Sequence, residues 1–343
     1  MSRVITALRS DAAQIALYAV IAVVLTTLIS TKAIGSYIGL SIGVASVYGI
    51  LVLAVSLLAG WAGIPSFAHA GLLAVGAYAA AFGSRNGWSF EQTVLIAMAI
   101  TAALGAALGF IGSRFSELYA GLLTIAFALI VLEVINNWSE ITGGDEGRPV
   151  SSLTSITGAV FFASSQPAIV LAIVVFVVCL AIAVVARRLT LRLRTSAAKS
   201  HTVAARSIGI SPPMQFTLAF AVSGAFGGLA GVLFGLTSGF VSPDSFSLNF
   251  AALIVAAAVL GGFGSVAGAI VGGAFMSLAS VLANSIGVNQ QLIEGIVLIA
   301  VLLLLPLGLV PSLNRLARRL LRRFRVGAGL APQTAALARG AEE

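Results

Sequence analysis

The chain has 343 residues, of which 59% are apolar and only 9% charged, with a net charge of +8. A soluble domain carries about 25% charged residues, so this chain, with a mean hydropathy of +1.09, lacks the polar surface of a water-soluble globule. A single cysteine excludes a disulfide framework and any multi-cysteine metal site, and 37 glycines without a three-residue period exclude a plain coiled coil and collagen. What remains is an all-α polytopic membrane protein.

A helix needs about 20 mostly apolar residues to cross roughly 30 Å of hydrocarbon. Such segments fall at 12–30, 37–59, 66–83, 92–112, 118–136, 167–186, 214–237 and 290–310. The first follows Arg3 and Arg9 as a signal peptide would. Asp11 interrupts it and no A-x-A cleavage pattern follows, so it reads as an uncleaved span. The segment 66–83 is short and opens after Pro65, which leaves both a span and a re-entrant segment open. The apolar stretch 250–283 is too long for one span and is interrupted at Gly261, Gly262, Gly264 and Ser265. It therefore reads as two helices, 250–260 and 266–283. The expectation is about ten transmembrane helices (eight to ten), some short or broken.

Basic residues concentrate on the cytoplasmic side of membrane proteins. With both termini cytoplasmic, 16 of the 19 Lys and Arg fall inside, leaving Lys32, Arg85 and Arg148 outside with Glu91, Glu140, Asp145, Glu146 and Asp244. One missed helix would invert every later loop, so an even number of spans is expected. The chain divides into a cytoplasmic N-terminus (1–11), a transmembrane domain (12–311) with a cytoplasmic loop at 187–213, and a C-terminal segment (312–343). Within the last, Ser312–Arg325 reads as a basic amphipathic helix with Leu316, Leu320 and Phe324 on one face, lying on anionic lipid. The Ala/Gly-rich remainder reads as unstructured. Nothing in the basic charge calls for nucleic acid.

Gly227, Gly231 and Gly235 repeat every fourth residue, as do Gly264, Gly268 and Gly272. Each row makes a flat stripe suited to close helix packing or to a face that lines a path. Two helix breaks are more pointed: 61–71 in the first half of the bundle and Gly261–Ser265 in the second. Broken helices at matched positions mark transport paths, since irregular backbone at membrane depth must be satisfied by protein or by a water-filled cavity. Ser66, His69, Gly71, Gly261, Gly262, Gly264 and Ser265 are thus candidate pathway residues. His69, Glu133 and Glu294 are the ionisable groups within or near spans. Each reads either as an interfacial or hydrogen-bonded residue or as part of an ion-coupled mechanism. Cys179 reads as inert packing.

The longest interior hydrophilic stretch is 187–213. Its core, 195–210, reads as one short amphipathic helix ended by Gly209. It is either a basic loop obeying the charge rule or a docking helix for a cytoplasmic partner.

Several strings resemble the LivM-type permeases of branched-chain amino acid ABC importers. They are Ser66–Gly71 (SFAHAG), Leu118–Phe127 (LYAGLLTIAF), Asn136–Gly147 (NNWSEITGGDEG), Ala204–Ile210 (AARSIGI), Phe240–Ser247 (FVSPDSFS) and Val259–Ser265 (VLGGFGS). The matches run in family order across roughly 40–310. The resemblance implies a permease subunit in a bacterial cytoplasmic (inner) membrane that moves a branched-chain amino acid or similar small polar solute inward. It implies a heterodimer with a second, LivH-type permease, two cytoplasmic ATPase subunits and an extracytoplasmic solute-binding protein. It also makes 195–210 the ATPase coupling segment, with Lys199, Ala204, Ala205, Arg206 and Gly209 as its candidate contacts. The family usually carries an acidic residue shortly before the Ala-Ala pair, where Ser200, His201 and Thr202 stand here. Relatives for urea and short amides keep those substrates open, as does a stand-alone ion-coupled transporter from another class. The chain has no G-x-x-x-x-G-K-S/T, and its only lysines, Lys32 and Lys199, do not follow glycine. ATP chemistry would then belong to a separate subunit. No enzymatic role, metal or cofactor is expected of this chain.

Overall fold

The computed structural model describes residues 2–31, 35–187 and 190–286, with isolated positions between 292 and 315. Glu294, most of the span at 290–310 and most of the C-terminal segment lie outside the described residues. The helices are α1 (Ser2–Ser30), α2 (Ser36–Ala62), α3 (His69–Arg85), α4 (Phe90–Gly112), α5 (Glu117–Asn137), α6 (Ser139–Thr142), α7 (Gln166–Ala186), α8 (Thr190–Ser200), α9 (Thr202–Ser207), α10 (Pro212–Ser238), α11 (Leu248–Gly261) and α12 (Val266–Ile286). Among the described residues seven helical stretches are long and apolar enough to cross a membrane, with the 16-residue apolar stretch Val266–Val281 shorter. The chain is therefore a multi-pass membrane protein.

The helix ends follow local chemistry. Ser89 and Gln92 form a reciprocal capping box that starts α4, and Pro212 and Pro213 occupy the first turn of α10, where the missing N–H costs nothing. Gly63 ends α2 in the left-handed conformation, φ 86°, with its N–H returned to Ala59 O.

The helices α2 and α10 form the centre and are buried over most of their length, while α1, α4 and α5 show broad outer faces. Close approach at the centre depends on missing side chains. A methyl at Gly231 would overlap Leu73 O and stand 2.7 Å from Ala77 N on α3. A methyl at Gly224 or Gly228 would strike Thr101 on α4, and Gly109 returns the contact against Phe216 O at 2.7 Å. The second row behaves alike: Gly268 abuts Gly261, and Gly272 meets Ala257 O at 2.6 Å and Val52 Cγ1 at 2.7 Å. Both rows are packing surfaces.

Two short antiparallel strand pairs lie at one end of the bundle. Strand β1 (Arg148–Pro149) pairs antiparallel with β4 (Phe240–Val241), Arg148 opposite Val241. Strand β2 (Ser152–Thr154) pairs with β3 (Val160–Phe162), Leu153 opposite Phe161. The Glu91 carboxylate accepts from Ile156 N at 3.0 Å and from Ser155 Oγ, pinning this hairpin to the start of α4. This end also holds Arg85, Glu140 and Asp244, while Arg114 and the α8–α9 segment sit at the other. The bundle thus sorts these loops into the two sets that the charge pattern predicts.

Candidate functional site

The first break is a short stretch of non-helical chain inside the bundle. After Gly63 the chain runs without helix to Ala68, and α3 starts only at His69. Its depth follows from its partners. His69 Nε2 lies 2.7 Å from Ser223 Oγ, about three turns into α10, or roughly 16 Å beyond Pro212 at 1.5 Å per residue. Phe67 N donates to Thr124 Oγ1 at 3.1 Å on α5, and Ala68 N donates to Ser66 Oγ at 3.3 Å. Both Ser66 and His69 are 1% exposed, so side-chain hydroxyls of the protein satisfy these two N–H groups of the unwound backbone. The segment 66–83 is therefore helical from His69 onward, its first three residues belonging to the non-helical break.

The hydrogen bonds assign the His69 tautomer. Ser223 Oγ donates to Ala54 O on α2 at 2.8 Å. A hydroxyl has one proton, so the imidazole must supply the other bond as Nε2–H. This leaves Nδ1 buried without a partner. One side chain from α3 and one from α10 thus tie three helices together at the break.

The second break joins α11 to α12 as predicted, through Gly262 (φ 93°), Phe263, Gly264 (φ 75°) and Ser265. Gly264 N donates to Ser56 O at 2.9 Å and lies 3.1 Å from Ser56 Oγ, while Ser56 Oγ reaches Gly262 O at 3.3 Å. Ser265 Oγ accepts from Gly268 N at 3.1 Å and starts α12. A methyl at Gly60 would lie 2.5 Å from Gly264 Cα. The second break therefore docks on α2 at Ser56 and Gly60, within two turns of Gly63, where the first break begins. Gly71 instead faces α5, its missing methyl 3.2 Å from Val131 Cβ, and Gly261 faces Gly268. Glu133 is not part of this assembly. It is exposed towards the other end of α5 and accepts from Asn137 Nδ2 at 2.7 Å.

The predicted single helix at 195–210 is two. Helix α8 ends at Ser200, His201 is extended (φ −148°, ψ 88°), and α9 spans only Thr202–Ser207. The reason lies in the weak helix formers at the junction: Ser200 Oγ bonds Ser196 O at 3.0 Å and Thr202 Oγ1 bonds Ala198 O at 3.3 Å. Gly209 (φ 77°) then reverses the chain, with Gly209 N to Arg206 O at 3.1 Å and Ile210 N to Ala205 O at 2.9 Å closing a Schellman motif. Ala204 is exposed but Ala205 is buried within the chain. Val203 and Ile208 are 84% and 71% exposed, a pair of apolar side chains that basic patterning concealed.

Lys199 joins this segment to the first break. A methyl at Gly63 would stand 2.5 Å from Lys199 Cε and 2.8 Å from Nζ, so the lysine stem lies across the glycine. Lys199 and Arg206, with Glu117, Ser116 and Pro213, also line a cavity of 340 Å³ under Ile64.

The model of the family described as "Branched-chain amino acid transport system / permease component" matches residues 37–305. The LivM permease proteins of the high-affinity branched-chain amino acid transport systems of Salmonella typhimurium and Escherichia coli are each 29% identical over 288 residues, covering 77% of this chain and 68% of theirs. The LivH permease protein of Escherichia coli is 25% identical over 291 residues, covering 79% of this chain and 93% of its own. No solved structure matches.

Proposed function

The chain belongs to the branched-chain amino acid transport system permease family, and from that membership we propose that it is one permease subunit of an ABC importer for a branched-chain amino acid. The α8–α9 segment faces the cytoplasm and docks an ATPase subunit. A LivH-type permease completes the membrane unit, and an extracytoplasmic binding protein delivers the solute. Both helix breaks line the route between the two permeases, through Ser66, His69 and the Gly261–Ser265 turn.

The observation that carries the coupling is the Lys199 stem lying across Gly63. A docking event that displaces α8 reaches the first break directly, and the second break within two helical turns along α2. Backbone packed this closely does not deform smoothly, so a shift of α8 is passed on as a rearrangement of the breaks.

Co-reconstitution with the second permease, the ATPases and the binding protein tests the proposal. Uptake of labelled leucine is expected to require ATP and all the subunits. Uptake by this chain alone, driven by a sodium or pH gradient, would assign it to ion-coupled transport instead. Uptake of urea but not leucine would reassign the solute.

A further inference from the structure

At the end of the bundle away from α8 and α9, two cavities of opposite character share a wall. One, of 130 Å³, is lined by Arg85, Asn86, Glu140 and Arg148. The other is an apolar groove of 560 Å³ between α3, α4 and α5. Phe82 and Ile141 border both. A polar chamber opening beside an apolar trough is the shape of a site for an amphiphile.

The charges of the chamber are unbalanced. Arg148 Nη2 donates to Ser139 O (3.1 Å) and Glu140 O (2.8 Å), but its Nε is buried without a partner. Neither guanidinium is ion-paired among the described residues. With two arginines against Glu140 alone, the chamber favours a group of net negative charge. A phosphate, with its several acceptor oxygens, suits two guanidinium forks.

The groove fits one bilayer leaflet. It follows α5 from Phe127 to the helix end at Trp138 for about three turns, roughly 16 Å, or half the hydrocarbon thickness. Trp88 and Trp138 stand at its polar end, as aromatic side chains do at the membrane interface. Tyr78, whose hydroxyl is buried without a partner, also borders it. A branched-chain side chain would fill only a fraction of this length, whereas an acyl chain runs along all of it.

We propose that this composite groove binds an anionic phospholipid, its phosphate held by Arg85 and Arg148 and one acyl chain lying along α5. The bound lipid fills the gap beside α5, a helix that otherwise buries only Ala120, Thr124, Ala128 and Ile135. It thereby supports the helix that holds the first break through Thr124.

The two tryptophans on the groove report its occupancy; the remaining one, Trp61, is 5% exposed and gives a steady background. The full chain is reconstituted with acyl-brominated phosphatidylglycerol or phosphatidylcholine at increasing mole fraction, and quenching is recorded. Saturable quenching is expected, with phosphatidylglycerol favoured by roughly fivefold for each arginine, the effect of about 1 kcal/mol per basic residue near a membrane surface. Arg85→Gln, which leaves the Arg148 backbone contacts in place, is expected to lose about one such factor. Ala79→Phe, which fills the trough, is expected to abolish saturation with either lipid. Equal, non-saturating quenching by both lipids would overturn the proposal. So would reversal of the quenching by millimolar leucine, which would make this a solute site. Loss of quenching once the second permease is added would likewise overturn it, making the groove an interface.

Discussion

His69 Nε2 and Ser223 Oγ lie 2.7 Å apart in a buried junction where Ser223 also donates to Ala54 O, so that one hydroxyl joins α3, α10 and α2. The junction sits where the first break leaves backbone without helical partners, and it therefore holds the break in place.

Ser223→Ala is expected to destabilise the protein by about 1–3 kcal/mol, the cost of leaving a buried N–H unsatisfied. Thermal unfolding in detergent checks this. Ser223→Thr, which keeps the hydroxyl, should recover part of the loss if its methyl is accommodated. A melting temperature unchanged by Ser223→Ala would show that the bond contributes nothing.

The glycines divide by what a methyl would meet. Gly231→Val places side-chain carbons against Leu73 O and Ala77 N, which are backbone atoms that cannot step aside. A loss of about 3 kcal/mol or more is expected from overpacking. Gly121, within α5, has nothing within 4 Å of its missing methyl. Gly121→Ala should raise stability by roughly 0.5–1 kcal/mol through helix propensity. The two variants, melted side by side, should move in opposite directions.

Neighbouring alanines in the α9 segment should separate docking from folding. Ala204 is exposed, so Ala204→Glu is expected to abolish ATP-driven uptake while insertion and melting temperature stay unchanged. Ala205 is 3% exposed, and Ala205→Glu should lower the melting temperature, because it forces a charge into a buried position. Val203→Asp with Ile208→Asp should reduce ATPase co-purification at least tenfold if these apolar side chains form the contact, equivalent to about 1.4 kcal/mol.

Gly63 joins a conformational demand to a contact. At φ 86° any other residue is strained, and a methyl there would also displace the Lys199 stem. Gly63→Ala is expected to cost about 1–2 kcal/mol in stability and to lower transport. Lys199→Met keeps the stem and removes the charge, so it should preserve melting temperature. If Lys199→Met also leaves uptake intact, the packed stem rather than the ammonium carries the link.

The helices and their interruptions were legible locally. Long apolar runs have no other way to satisfy their backbone in a membrane, so 37–59 and 92–112 become α2 and α4 within a few residues. Gly261–Ser265 breaks its run because two of its glycines adopt left-handed angles. At 195–210 one continuous helix does not form, because side chains at Ser200 and Thr202 compete with it over only a few residues.

What the sequence by itself determined was the membrane class, the positions of the breaks and the grouping of charged loops, all consequences of run length and charge order along the chain. Only the tertiary structure decided that His69 meets Ser223, 154 residues away, that both breaks dock on one end of α2, and that Lys199 lies over Gly63. The helix rows carry no signal for such pairings. Glycine stripes allow close contact with any small face, and which face is met depends on how the whole bundle closes.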